Sequence, residues 1–371
     1  MKKNSKKIGT ISYNIYCNFT NYGSALQTWA LHQAIKKIEG FQPVLVDYCP
    51  DILADKDPLN PFSNMWDKDE ESKRMCELTM PAIRENYQKF DDFYRIRFDR
   101  TSQKYTSCNF DGISKEKLYG FVCGSDTIFC PDEFGVDDGY FANYVPMQGH
   151  SVAYAASFGD PTMTDEVSKQ ISARLKNFKA IGLRENLMIP YVKEYTSAPV
   201  QKVIDPTLLL TPEEYEPITE DRIIEDKYLL LYSRRYSPEM EAYAEKLAKE
   251  NGWKIVEISL RATNADKGHI MFYRAGVEEF LSLVKNAEFV VTNSFHGMIF
   301  SVQFSRPFVV FSREQCNTKI EELIQLFGIK DHIFITGKEN YKPINYDMVH
   351  LNIKKVREDS EHFLRYELEL L

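Results

Sequence analysis

The sequence predicts an α/β fold with two Rossmann-like units whose parallel sheets face a cleft. Short apolar or β-branched runs alternate with amphipathic helical stretches, as βαβ units require. That alternation occurs twice, on either side of a boundary near Glu213 to Asp226. The length of 371 residues also suits two cores better than one, at roughly 150 residues per domain.

The first unit opens with a strand at Ile8 to Ile11 and a helix across Ser24 to Glu39, in which Leu26, Trp29, Leu31, Ile35 and Ile38 recur at helical spacing. Gly40 is a stop signal, and Pro43 to Tyr48 reads as the next strand. Residues 50–110 change character, with Pro58, Pro61 and a charged helix across Glu70 to Arg97, and read as a helical insertion. Strands resume at Gly120 to Cys123, Ser151 to Tyr154 and Ala180 to Leu183, with a helix near Asp165 to Phe178. In the second unit Tyr228 to Tyr232 is a buried strand, and Ser237-Pro238-Glu239 supplies a cap, an N1 proline and an acidic first turn. Strands follow at Trp253 to Ile258, Glu288 to Thr292 and Phe308 to Phe311, with helices at Val277 to Asn286 and from Ser294. The expected layout is an N-terminal domain over 1–212, a C-terminal domain over 227–345 and a closing helix over 346–371.

Composition narrows the function classes. With 46 Lys+Arg against 54 Asp+Glu the net charge is −8, which argues against a surface that attracts nucleic acid or anionic lipid as a whole. The charged start Met1 to Lys7 leads into no continuous apolar stretch, and no 18-residue apolar run occurs, so the reading is a cytoplasmic protein without a membrane span. Seven cysteines, Cys316 among them, are scattered without a C-x-x-C pair, and the seven histidines lack H-x-x-x-H spacing. Neither a disulfide framework nor a metal site is signalled.

Ligands of open parallel sheets bind beyond the carboxyl ends of strands, so the chemistry is sought in those turns. At Thr292-Asn293-Ser294-Phe295-His296-Gly297 a strand runs into small polar residues at a helix start. Backbone N–H groups there favour a phosphate or carboxylate, with His296 able to donate a proton; the plainer reading is a core histidine at a capped turn. Arg184, just after a strand, suits an anion with its planar guanidinium, or else forms an ordinary salt bridge with Glu185 or another neighbour. Arg234 and Arg235 stand in a similar turn. Asn21-Tyr22-Gly23-Ser24 and Gly124-Ser125-Asp126 are turns suited to a polyhydroxylated ligand, with Asp126 as a base, although Asx turns and caps use the same residues. G-x-G-x-x-G and G-x-x-x-x-G-K-[ST] are both absent, so dinucleotide and P-loop sites are unsupported.

In order along the chain, Asn21-Tyr22-Gly23-Ser24-Ala25-Leu26-Gln27, Cys123 to Asp126, Tyr154-Ala155-Ala156-Ser157-Phe158-Gly159, Leu183-Arg184-Glu185, Asp205-Pro206-Thr207-Leu208-Leu209 and Thr292 to Gly297 together resemble the polysaccharide pyruvyl transferase family. The resemblance runs from about Ile8 to Gly328. It implies a fold similar to the GT-B glycosyltransferases, and transfer of pyruvate from phosphoenolpyruvate to a pair of sugar hydroxyls, forming a ketal. Phosphoenolpyruvate is then a co-substrate, with no cofactor and no metal. The acceptor is a sugar or lipid-linked oligosaccharide, met at the inner membrane face without a span.

The resemblance further implies catalytic roles for His296 and Arg184 at the donor, with Asp126 the choice for a base. Substrate contacts are expected from Asn21, Tyr22, Gly23, Gly124, Ser125, Arg234, Asn293, Ser294, Phe295, Gly297 and Lys319. The chain departs from the family pattern at Ser294, where many relatives carry arginine, at Thr127 and Phe129 after the Gly-Ser-Asp turn, and at Lys319 of Asn317-Thr318-Lys319-Ile320, where lysine keeps the charge but loses the bidentate fork. Two other functions suit the same fold: a nucleotide-sugar glycosyltransferase and a non-catalytic glycan-binding protein.

Overall fold

A computed structural model describes residues 5–65, 68–312, 317–337 and 342–371. Met1 to Asn4, Cys316 and the side chain of Asn317, which carried sequence readings, lie outside the described residues.

The first half contains β1 (Lys6–Ile11), α1 (Tyr22–Lys36), β2 (Phe41–Leu45), α2 (Pro61–Asn64), α3 (Glu70–Arg97), β3 (Gly120–Cys123), α4 (Pro131–Phe134), β4 (Ser151–Ala156), α5 (Asp165–Leu175), β5 (Phe178–Leu183), α6 (Ile189–Tyr195) and β6 (Val200–Lys202). Its strands form one sheet in the order β2-β1-β3-β4-β5-β6, and every pairing is parallel. The second half contains β7 (Tyr228–Tyr232), α7 (Pro238–Asn251), β8 (Lys254–Ile258), β9 (Ile270–Met271), α8 (Val277–Lys285), β10 (Phe289–Thr292), α9 (Phe295–Gln303), β11 (Phe308–Val310), α10 (Asn317–Phe327) and α11 (Tyr346–Glu369). Its sheet runs β11-β10-β7-β8-β9, again parallel throughout.

Local chemistry accounts for the helix ends near the site. Asn21 caps α1 through its side-chain oxygen, and Ser294 does the same for α9. Ser237 caps α7, which Pro238 opens and the left-handed Gly252 closes. Strands β6 and β9 escaped the sequence reading because each is an edge of three residues or fewer, with no hydrophobic period to see.

Helices α3 and α11 each reach from one half to the other. Helix α3 leaves the first sheet between β2 and β3 and lies along α8, where Lys89 pairs with Glu279 at 2.7 Å and Arg97 with Glu278 at 3.1 Å. Asn86 of α3 donates to the Ala275 carbonyl at 2.5 Å. Helix α11 returns to the first half: Ser360 Oγ accepts the Ile204 N–H at 2.9 Å, and Arg357 donates to the Leu208 carbonyl at 2.6 Å. A Cβ on Gly182 of β5 would come within 2.9 Å of Phe363 of α11, so this strand can meet that helix only without a side chain. One buried cluster runs through both halves, from Ile8 and Tyr22 to Phe280, Phe300 and Phe363. No helix among the described residues is long and apolar enough to cross a membrane.

Candidate active site

The turns after β1, β3, β5, β7 and β10 converge because they leave the same ends of two parallel sheets that face each other. After β10, the Ser294 hydroxyl accepts the Gly297 N–H at 3.2 Å and starts α9 with His296 in its first turn. Gly297 lets this helix sit hard on its own sheet: a Cβ there would lie 2.6 Å from Thr292 Oγ1 and 3.0 Å from the Tyr232 ring. From the opposite half, the start of α1 meets the same point. A Cβ on Gly23 would stand only 2.0 Å from His296 Nδ1, so the glycine is what admits the imidazole. Two helix N-termini, with their partial positive charge, therefore flank one histidine.

Behind the histidine is a buried charge centre. Arg184 donates from Nε to Glu185 and from Nη1 to Asp205, both at 3.0 Å, and its guanidinium lies 5.0 Å from the Phe295 ring centroid. Asp205 also accepts from Gln27 at 2.7 Å and from the Thr207 hydroxyl at 2.6 Å, and its Oδ2 lies 3.6 Å from His296 Nε2. Burial alone would push the Asp205 carboxyl up, but His296, Arg184 and Thr207 outweigh it and hold the group well below the usual carboxylate range. Burial likewise opposes the Arg184 charge, and Glu185, Asp205 and Asp126 more than restore it. Asp126 accepts from the Ser24 hydroxyl at 2.6 Å; burial works against its ionisation, while Arg184, His296, Ser24 and Lys319 keep its carboxyl below the ordinary value.

A cavity of about 450 Å³ opens in front of this centre. Its lining includes Lys56, Arg184, Arg234, Arg235, Arg261 and Lys319, six cations against the three carboxylates of Asp126, Asp132 and Glu133. The lining is thus rich in cations, of which Arg184 is paired with Glu185 and Asp205 and Arg261 lies 3.7 Å from Glu71. The outer arginines rest on aromatic rings: Arg234 lies 4.6 Å from the Phe19 centroid and Arg261 lies 4.0 Å from that of Tyr236. Asn293 fixes the Arg234 turn, accepting the Arg234 N–H at 2.8 Å and donating to the Arg235 carbonyl at 2.7 Å.

Of the residues singled out in the sequence, Asn21, Tyr22, Asp126, Arg184, Arg234, Ser294, Phe295, His296 and Lys319 line the cavity. Gly23, Gly124, Ser125, Asn293 and Gly297 stand behind it and shape its turns. Gly124 packs against Tyr154, whose carbonyl a Cβ would approach to 2.0 Å, and the Ser125 hydroxyl is spent on the Ala155 carbonyl at 3.0 Å. Tyr22 offers a ligand no hydroxyl, because it donates to the Ala275 carbonyl at 2.8 Å while its ring stacks on Phe280 at 4.3 Å. Arg184 turns out to be both the cavity cation and the salt-bridged arginine of the plainer reading. Among the divergent positions, Thr127 lines the cavity and donates to Glu133 at 2.6 Å, whereas Phe129 is a core ring stacked on Phe141.

The sequence reading missed Asp205 and Gln27 as members of the centre. Asp205-Pro206-Thr207 has the form of a short cap, and it is one: Asp205 accepts the Thr207 N–H at 3.0 Å. The available signal was an acid at a strand exit with no cation in its own turn.

The polysaccharide pyruvyl transferase family model matches residues 21–315. None of the curated proteins matches the chain. Among solved structures, a candidate UDP-N-acetylglucosamine 2-epimerase from Listeria monocytogenes aligns with a TM-score of 0.53 at 12% identity, over 98% of this chain and 90% of that one. The UDP-GlcNAc 2-epimerase of Methanocaldococcus jannaschii aligns with a TM-score of 0.50 at 10% identity, over 97% and 99% of the two chains. At such identities the likeness speaks to the fold alone, which is GT-B-like: two parallel-sheet halves around a cleft. Since the family match spans most of the chain and includes the turns that carry Asp126, Arg184, Asp205 and His296, the chain belongs to the polysaccharide pyruvyl transferase family, a family of transferases.

Proposed function

We propose that the protein transfers pyruvate from phosphoenolpyruvate to two hydroxyls of a cell-surface polysaccharide or its precursor, forming a pyruvate ketal and releasing phosphate. The observation that carries this reading is the cavity that His296, at two helix N-termini, shares with six cationic side chains. A small donor with a phosphate and a carboxylate matches that charge.

In the proposed reaction His296, protonated, gives its proton to the methylene carbon of the donor, which becomes a methyl group. The first acceptor hydroxyl adds to the adjacent carbon. The carbon–oxygen bond to phosphate then breaks, and the second hydroxyl closes the ketal. Of the two protons the hydroxyls lose, one restores His296 and the other leaves with phosphate. Arg184, Lys319, Arg234 and the Ser294 to Gly297 backbone hold the donor's negative charge, and such fixed electrostatic stabilisation usually exceeds the contribution of a single proton transfer. Asp126, close to both halves of the site, takes the proton of one acceptor hydroxyl and passes it to the departing phosphate. The acceptor enters from the first half, past Asn21 and Thr127. The enzyme works in the cytoplasm, where phosphoenolpyruvate is made, and reaches any lipid-linked acceptor at the inner membrane face.

Phosphate release from phosphoenolpyruvate, measured across a panel of sugar and lipid-linked acceptors with mass analysis of the product, tests this reading. Acceptor-dependent release with a ketal-bound pyruvate on the product is expected. Release of nucleoside diphosphate from a nucleotide sugar in its place would reassign the enzyme as a glycosyltransferase.

A further inference from the structure

We propose that Asp205 is a positioning residue for His296: it fixes the imidazole with a proton on Nε2, so that Nδ1 is the nitrogen that exchanges a proton with the ligand. The proposal rests on the transfer reading above only for the identity of that ligand.

The Asp205 side chain has no freedom of its own. Thr207 holds Oδ1 with both its hydroxyl and its N–H, while Gln27 of α1 and Arg184 beyond β5 hold Oδ2. This anchored oxygen faces His296 Nε2 at 3.6 Å, and Nε2 is buried without a hydrogen-bond partner among the described residues. A bare nitrogen lone pair turned toward a buried carboxylate is repelled, and the nitrogen stays unsatisfied; an N–H there is attracted. Closing the gap by about half an ångström completes the bond. The opposite edge of the ring differs. Nδ1 lies against Gly23, where a Cβ would stand 2.0 Å away, and His296 lines the cavity. A carboxylate that sets the tautomer of a working imidazole is a recurrent device, because the partner of one ring nitrogen decides what the other can do. Arg184 bonds the same Asp205 oxygen, so one carboxylate orients both the anion-binding cation and the proton donor.

In the proton balance, Nδ1–H gives its proton to the donor carbon, and the ring is left neutral with Nε2–H facing Asp205. A proton from an acceptor hydroxyl then returns to Nδ1.

The test is ¹⁵N NMR of histidine-labelled protein, with the His296 signals assigned by their loss in His296→Gln. In wild type the neutral His296 ring is expected as the Nε2–H tautomer, and in Asp205→Asn as a mixture. With phosphoenolpyruvate, Asp205→Asn is expected to lose about 100-fold or more in kcat, with a much smaller rise in KM for the donor as Arg184 loses one of its two anchors. A neutral wild-type ring protonated on Nδ1 overturns the proposal, even if Asp205→Asn does not fold. So does an Asp205→Asn ring that stays wholly Nε2–H. Failure of wild type to use phosphoenolpyruvate would instead sink the proposed donor, and the tautomer measurement would still decide the role of Asp205.

Discussion

The inner and outer cations of the cleft are held in different ways. Arg184 is 7% exposed and is gripped by two carboxylates, whereas Arg234 and Arg261 lie over aromatic rings, Arg234 donating to the Thr20 carbonyl at 3.3 Å and Arg261 standing 3.7 Å from the single carboxylate of Glu71. A carboxylate-paired arginine is fixed in place, so it meets a ligand with a set geometry. A ring-stacked arginine keeps more of its donors for an incoming anion. The cleft thus divides into a preorganised centre around Arg184, Asp205 and His296 and a rim that supplies attraction.

The largest effect should come from the centre. His296→Ala is expected to cut kcat by about 10²–10⁴-fold with the far-UV circular dichroism unchanged. Full activity with an authentic acceptor would remove the acid role. Arg184→Met should act on the fold as well, since it leaves Asp205 and Glu185 buried without their cation. A loss of about 3–5 kcal/mol in denaturant unfolding is expected. The same change at Arg234 should cost under about 1 kcal/mol and instead raise KM for the donor by about tenfold. If the two variants lose equal stability, the distinction between centre and rim fails.

Gly23→Ala probes the contact between the halves. Alanine suits a helix better by up to about 1 kcal/mol, yet its Cβ would stand 2.0 Å from His296 Nδ1, so the imidazole must move. Activity is expected to fall about tenfold or more, with a stability loss of about 1–3 kcal/mol from the overpacked ring.

These expectations also show how far the sequence could be read. The helix Glu70 to Arg97 and the strands Gly120 to Cys123 and Tyr228 to Tyr232 were legible to the residue, because each has a strong period or an unbroken apolar run. The strand exits bearing Asp126, Arg184 and His296 were legible as candidate anion or sugar turns. What no local pattern reveals is which side of a turn faces the cavity. Asn293 and Ser294 are neighbours, yet one braces the Arg234 backbone and the other caps α9. Asp205 was hidden for the same reason: its partners Gln27, Arg184 and His296 come from three other elements, and only the tertiary fold brings them to it.

The smallest effect is on acid stability. Asp126 has a folded-state value below that of an unfolded aspartate, so its ionised form stabilises the fold above about pH 4, and this contribution is lost as pH falls through the folded value. Asp126→Asn should therefore flatten the decline in thermal midpoint below pH 4. Its left-handed backbone, φ 76°, is one that asparagine tolerates. A decline as steep as in wild type would show that Asp126 carries no such charge coupling.

Isothermal titration calorimetry of phosphoenolpyruvate and UDP against wild type, Arg184→Lys and His296→Gln tests whether the cleft takes the proposed trianionic donor. Saturable binding of phosphoenolpyruvate to wild type is expected, weakened about tenfold or more in Arg184→Lys, with UDP binding weaker than either. Tight UDP binding together with no heat from phosphoenolpyruvate would rule out the proposed donor.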